Sequence, residues 1–427
     1  MAFWKRILSP VPFLLTVGLA VGLQFLEFKG LLAGPEGVVY GWYLALLHRA
    51  PKDLPAIVTV EIDDDAYQAC FGGVSPLNPD RMGEILEGIL PGMQPPQEDV
   101  YIPVMGVDII TDSTSVDYRG LLAKNGEIKV AKVWAAAAER SSGDPDTFAS
   151  WFFGKPRKEV IQPTRVLGRE ASALPSDVLW AVPSYPQDED LRVRRFPRRV
   201  DLLVNRPVNG SANGSGSDQP TVVTRNSWAR EIAVQHCVRR NCTVEADEEA
   251  GEESLLAFDG GLQRYPVSEL FDCSQQHAQP RPEKIREMWA FVVAKRALIL
   301  LGGTFGSARD SYMTPKGAMP GLHINAYAIQ SEVAHNGIHE APRWIVILSD
   351  VLLGFVLSSF FHGSGRLRPM LVKSGLAIAG VVLLSMVVFM MGYLWLTCVG
   401  IAFGKTIELF REIWEKDPVV MAESHHP

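Results

Sequence analysis

The chain changes polarity twice along its length. Ile7 to Leu26 carries no charge, and about 20 such residues are enough to cross the hydrocarbon core of a bilayer. Trp344 to Phe361 is apolar apart from a few polar positions, Asp350 among them, and Leu371 to Phe403 is long enough for two crossings joined by a tight turn near Gly392 to Trp395. Between these ends the pattern is of short elements. "IVTVEI" (57–62), "VMGVDII" (104–110) and "ALILLGG" (297–303) are brief apolar runs bounded by turn formers, which fits buried strands. "NPDRMGEILEGIL" (78–90) has helix grammar, with Asn78 able to cap, Pro79 at the first helical position, and Met82, Ile85, Leu86 and Ile89 on one face. "SWAREIAVQHCV" (227–238) and Leu322 to His335 also read as helices, while "VAKVWAAA" (130–137) fits a third strand or a helix start. Strand, helix, strand implies parallel strands joined by a right-handed crossover. The middle of the chain is therefore expected to be α/β, a mixed or parallel sheet flanked by helices.

Charge sets the expected sidedness. Lys5 and Arg6 precede the first run, and Arg366 and Arg368 sit between the second and third; positive residues favour the cytoplasmic side. Four transmembrane helices follow, one N-terminal and three C-terminal. The chain divides into 1–34 (N-terminus and first span), 35–342 (extracytoplasmic domain), 343–410 (three spans) and 411–427 (cytoplasmic tail). No A-x-A-like cleavage site follows the first run, so it reads as a retained anchor. The expected location is a multi-pass protein of the inner membrane, in contact with lipid. Asp350, inside a span, costs about 2.5–3.5 kcal/mol on insertion scales and should face protein, either in coupling or in a hydrogen bond between helices.

Cys70, Cys237, Cys242 and Cys273 fall in the outer segment, an even number that allows three disulfide pairings in an oxidising compartment. Cys237 and Cys242 lack further ligands at zinc-like spacing, so no metal site or cofactor is expected. The net charge of -7 owes part of its value to "EADEEAGEE" (245–253), a solvated loop, and "VNGSANGSGSDQP" (208–220) reads as a surface loop. "RVRRFPRR" (192–199) is basic, but it reads as a strand whose outward side chains pair with acids such as Asp188 and Asp190, not as a nucleic-acid site.

The candidate chemistry lies where strands end. In "IVTVEIDDDAY" (57–67) a buried strand runs into Asp63, Asp64 and Asp65. Aspartates there can cap backbone N–H groups, or they can face a ligand at the carboxyl edge of a parallel sheet. Alternation would put Glu61, Asp63 and Asp65 on one face and Asp64 on the other. The candidate ligand-binding set is Asp63, Asp65, Arg81, Asp108, Thr304 and Asp310. Clustered carboxylates repel and call for a cation, an amine or hydrogen-bond donors. "GGTFGS" (302–307) could cradle an anion or simply permit a tight exit from a strand, and His323 reads as a packing residue. G-x-S-x-G and H-E-x-x-H motifs are absent, and the chain is not expected to be an enzyme.

The order of "VEIDDDAY", "NPDR", "GVDII", "DEDLRVRRFP" and "LILLGGTFGSARDSYMTPKGAMPGLHINAYAIQS" resembles the type-2 CHASE sensory domain, the cyclase and histidine-kinase associated sensory extracellular domain. The likeness spans roughly residues 7 to 410 and is most specific in the last block, at Gly303, Thr304, Asp310, Thr314, Pro315, Pro320, Gly321, His323 and Asn325. "SPLNPDR" stands where the family commonly has a Trp-Pro pair, and Leu191 follows Asp190 where glycine is usual. The resemblance implies a membrane sensor that detects a small ligand or an envelope condition and signals to a separate protein partner. The other expectation is an accessory or scaffold subunit of a membrane complex, with the outer domain as a docking surface.

Overall fold

In the computed structural model the described residues are 39–44, 54–74, 77–89, 104–108, 130–133, 160–161, 178–181, 192–204, 221–244, 253–258, 260–275, 277–306, 310–334, 338–340, 345–346, 376, 379–380, 383–390 and 394–395. They build a six-stranded sheet from β1 (Ile57–Ile62), β2 (Met105–Asp108), β3 (Val130–Val133), β4 (Val178–Ala181), β5 (Gln263–Pro266) and β6 (Leu298–Gly303), in the spatial order β5-β1-β6-β2-β3-β4. Every pairing in it is parallel. Of the segment at 130–137, open between strand and helix in the sequence, Val130–Val133 enters the sheet as β3.

The first two predicted strands are not neighbours. β6, which comes last in the chain, inserts between β1 and β2, pairing Glu61 with Gly302 and Gly302 with Asp108. The chain thus runs outward from β1 to β4, returns to the far side of β1 as β5, and closes the gap with β6. Such a reversal of strand order is where open α/β sheets place a ligand crevice, at the carboxyl ends of the strands.

Each face of the sheet carries its own core. On one face Val58, Val60, Ile62, Met105, Val107, Ile299 and Leu301 pack against α1 (Asp64–Phe71), α2 (Pro79–Ile89) and, later in the chain, the helix Pro282–Lys295. That layer is pinned by a disulfide between Cys70 and Cys273, 203 residues apart in sequence. On the other face Ile57, Val104, Leu298 and Leu300 pack against α3 (Trp228–Arg240) and α6 (Gly321–Ala334), the helices Val267–Leu270 and Pro282–Lys295 being α4 and α5. Gly106 lets α3 sit close to the sheet, since a Cβ there would meet Trp228 and Ile232. The second disulfide, Cys237 to Cys242, closes the end of α3.

α1 has no counterpart in the sequence reading. The strand ends at Ile62, Asp63 becomes the N-cap, and Asp64 and Asp65 enter the first helical turn. The period-two alternation expected through Asp65 therefore stops at the cap.

The basic segment also departs from expectation. Arg194 and Arg198 are buried and not turned outward. Arg198 Nε lies 2.8 Å from Glu332 and Arg230 Nη1 lies 2.6 Å from the same carboxylate, forming an ion triad in which Glu332 is inaccessible to solvent. The acid that answers Arg198 is distant in sequence, on α6, so local charge pairing could not reveal it. Asp188, Asp190, Asp350, Cys398 and the loops at 208–220 and 245–252 lie outside the described residues.

Among the described residues no helix is long and apolar enough to cross a membrane; the first predicted span lies outside them, and only parts of the 344–361 and 371–403 segments lie within. Two short pieces, one following the first predicted span and one inside the 371–403 segment, join the second core. Tyr40, Tyr43 and Leu44, from a helical stretch at 39–44, and Phe389, from one at 383–390, are buried there, with the Tyr43 and Phe389 rings 5.7 Å apart. Leu394–Trp395 pairs with His339–Glu340.

Candidate functional site

The crevice is built from the ends of β1, β6 and β2, the start of α6 and a hairpin between them. β7 (Ser311–Thr314) and β8 (Gly317–Pro320) form that hairpin, and Asp310 stands at its root. Because Glu61, Gly302 and Asp108 share one register across the three strands, the two acids point to the same face, with a glycine between them. A Cβ at Gly302 would meet Leu322 and the Cβ of Asp108. Glycine here brings the first turn of α6 down onto the sheet edge.

The surroundings of the two acids shift them in opposite directions. Glu61 is buried, yet it accepts from Thr59 Oγ1 at 2.8 Å and from Arg264 Nε and Nη2 at 2.8 and 2.7 Å, and it lies 2.9 Å from His323 Nε2. Burial alone would raise its pKa; the bonds from His323, Arg264 and Thr59 overcome this and take it down to about 2. A carboxylate that stays ionised fixes the facing His323 nitrogen as a donor. The bond to Arg264 likewise raises the guanidinium pKa.

Asp108 has only a neutral donor to set against its burial. Asn325 Nδ2 donates to Asp108 Oδ2 at 3.0 Å. Burial, reinforced by the like charge of Asp310, pushes the Asp108 carboxyl up to about 7, against the pull of Asn325. Burial also raises Asp310, which is bonded to the Tyr312 hydroxyl, and burial with the adjacent Asp310 raises Tyr312. Titratable groups driven apart in pKa at the edge of a sheet are the arrangement from which acid and base roles, or ligand recognition, are built. Here one acid is held as a permanent anion while its neighbour sits where a proton, an amine or a cation would relieve it.

The predicted residues divide between this crevice and elsewhere. Asp108 and Asp310 come together in it. Asp63 caps α1 through Ala66 N at 3.0 Å and accepts from Ser268 Oγ at 2.7 Å, so its carboxylate serves the helix. Asp65 is exposed in the first turn of α1. Arg81 belongs to the opposite face, on α2, where it pairs with Glu84 at 3.1 Å and donates to Gln275 O at 3.0 Å. Thr304 leaves β6 with its N–H donated to Ile62 O at 2.9 Å and closes the strand end.

The glycine turn does hold an anion, but the anion is internal: Gly306 N donates to Asp64 Oδ1 at 3.0 Å. Glu61, Tyr312 and Asn325 join the site without any local sequence pattern to mark them, and His323, expected as a packing residue, stands beside them. His323 is indeed buried, but it is packed onto Glu61. Strand register carries the missing signal, because it aligns Glu61 with Asp108 across a strand that comes more than 180 residues later. Among the described residues no group of three or more His, Cys, Asp or Glu side chains is arranged to hold a metal ion.

The family model of the CHASE2 domain, a sensory domain family, matches residues 13–362, most of the chain. No curated protein and no solved structure matches the chain.

Proposed function

The chain belongs to the CHASE2 domain family, and from that premise we propose that it is an integral membrane sensor whose outer domain reads a small ligand or envelope condition in the Asp108–Asp310 crevice. The observation that carries the reading is that the crevice and the membrane-proximal pieces share one core. Leu298, Leu300 and Leu322, which carry the crevice, lie in the same buried cluster as Tyr40, Tyr43, Leu44 and Phe389. A ligand can shift a receptor only by binding its conformations unequally, and a shared core is the medium through which that difference reaches the flanking helices.

Two features support membrane integration by four spans. In the stretch 383–390 Leu383, Leu384, Val387 and Met390 are exposed while Ser385 and Phe389 are buried, the reverse of a helix facing water and the pattern expected of one facing lipid. The pairing of 394–395 with 339–340 fits a turn between the last two spans on the outer side. The signal passes to a separate protein partner on the cytoplasmic side. The competing reading, a scaffold subunit without a small ligand, is favoured by the structural employment of Asp63 and Asp64.

Thermal unfolding of the full chain in detergent, screened against polyamines, amino acids and divalent cations at pH 7.5, separates the two. The sensor reading expects at least one additive to raise the midpoint in the wild type and not in Asp108→Asn. An unchanged midpoint with every additive favours the scaffold.

A further inference from the structure

We infer that the hairpin β7–β8 is a lever that carries changes in the crevice to the helical segment at 39–44, with Asp310 at its root and Pro315 at its tip. The inference rests on the reading of the crevice as the sensing site and adds the route by which that site acts.

The root is inseparable from the crevice. Asp310 O accepts from Gly321 N at 2.8 Å, and the Asp310 side chain is bonded to Tyr312, the second residue of β7. A Cβ at Gly321 would collide with both carboxylate oxygens of Asp310. Movement of this carboxyl therefore moves the start of the hairpin and the start of α6 together. The charged and titratable groups around the root are Asp108, Asp310 and Tyr312, with the Glu61–His323–Arg264 set beyond Gly302.

The shaft is stiff. Four residue pairs run from Ser311–Pro320 to Thr314–Gly317, a length of about 13 Å. The turn is braced from within, Thr314 Oγ1 donating to Gly317 O at 2.7 Å and accepting from Lys316 N at 3.1 Å. Midway, Val193 N donates to Met313 O at 2.7 Å, a fixed point about which the two ends can move.

The tip is fastened near the membrane-proximal segment. Pro315 Cβ is 3.9 Å from the place a Cβ would occupy at Gly41. Lys316 Nζ donates to the carbonyl of Phe258, a residue held at φ 51°. Two residues earlier, Leu256 O accepts from the Tyr40 hydroxyl at 2.9 Å. Both ends of the tip contact thus lead to residues 40 and 41, beside the exposed Trp42.

Hydrogen exchange of the full chain at one pH tests the route, with Asp108→Asn as the perturbation at the root. At pH 8 the substitution removes repulsion in the crevice, so amides of 311–325 should exchange more slowly, and those of 37–45 should slow with them by about threefold or more, the scale of a weak energetic coupling. The double variant Pro315→Gly/Lys316→Ala should keep the first effect and lose the second. If that variant does not fold, a cysteine pair at Gly41 and Pro315, whose spacing suits a disulfide, should tie the tip to the segment, so that the response at 37–45 is larger in the oxidised than in the reduced protein. A response confined to 311–325 overturns the lever and leaves the sensing site standing; no response in either segment sinks both.

Discussion

The two faces of the sheet are made of different material. The face covered by α1, α2 and α5 is apolar, with Met82, Ile85, Ile89, Met288 and Val292 buried, and its charged residues, such as Arg81, Glu84 and His277, lie toward its rim. It is also tied across most of the domain by Cys70–Cys273. The face covered by α3 and α6 buries Glu61, Arg198, Arg230, His323, Asn325 and Glu332. Buried charge is a poor way to gain stability, since desolvation can exceed the attraction between partners. One face therefore holds the fold while the other keeps polar groups in place at a cost, and the costly face is the one that reaches the segments at 39–44 and 383–390.

That contrast can be broken most severely at Glu332. Glu332→Ala removes the carboxylate that the buried Arg198 and Arg230 share, and the global stability measured by denaturant unfolding should fall by about 3–5 kcal/mol. The apolar face should fail next. Opening Cys70–Cys273 by Cys70→Ser frees a loop of 203 residues and should cost about 2–4 kcal/mol, whereas Cys237→Ser opens a loop of only 5 and should cost about 2 kcal/mol or less. Equal losses from the two cysteine variants would contradict the assignment of the stabilising role to the first face.

The pH dependence sharpens the comparison, because the two crevice acids have opposite signs. Asp108 is raised from 3.8 to about 7, so the folded state holds its proton more tightly than the unfolded chain. Its cost is absent below the ordinary carboxyl range and grows as pH rises to about 7. Glu61 is lowered from 4.5 to about 2, so its contribution is present above the ordinary range and is lost as pH falls toward 2. Unfolding midpoints of Asp108→Asn should decline less than wild type between pH 4 and 7, with the acid-side loss unchanged. The smallest effect is expected at the cap: Asp63→Ala should cost about 1 kcal/mol, with ligand responses retained.

How much of this was written in the sequence follows from the range of each interaction. The helix opened by Asn78 and Pro79 and the burial of β1, β2 and β6 depend on near neighbours, and periodicity reported them. The aspartate run was legible as two alternatives, and local capping took Asp63 because Ala66 N lies three residues away. α1 was missed because its apolar positions, Ala66, Tyr67, Cys70 and Phe71, follow the acids directly and resemble a strand exit. The insertion of β6 between β1 and β2, the alignment of Glu61 with Asp108, and the reach of Arg198 to Glu332 are pairings between distant segments. No local pattern encodes them. Four cysteines were visible, but choosing Cys70–Cys273 and Cys237–Cys242 from three pairings required the folded positions.

A sensor of this kind requires the crevice to open to the outer compartment, and labelling a single exposed thiol tests this most directly. Gly261 is exposed with open space where a side chain would begin, so Gly261→Cys in a Cys398→Ser background offers one free thiol near Arg264. A membrane-impermeant maleimide added to intact cells should label it as fully as after permeabilisation. Labelling that appears only once the cells are opened would place the domain on the cytoplasmic side and contradict the sensor.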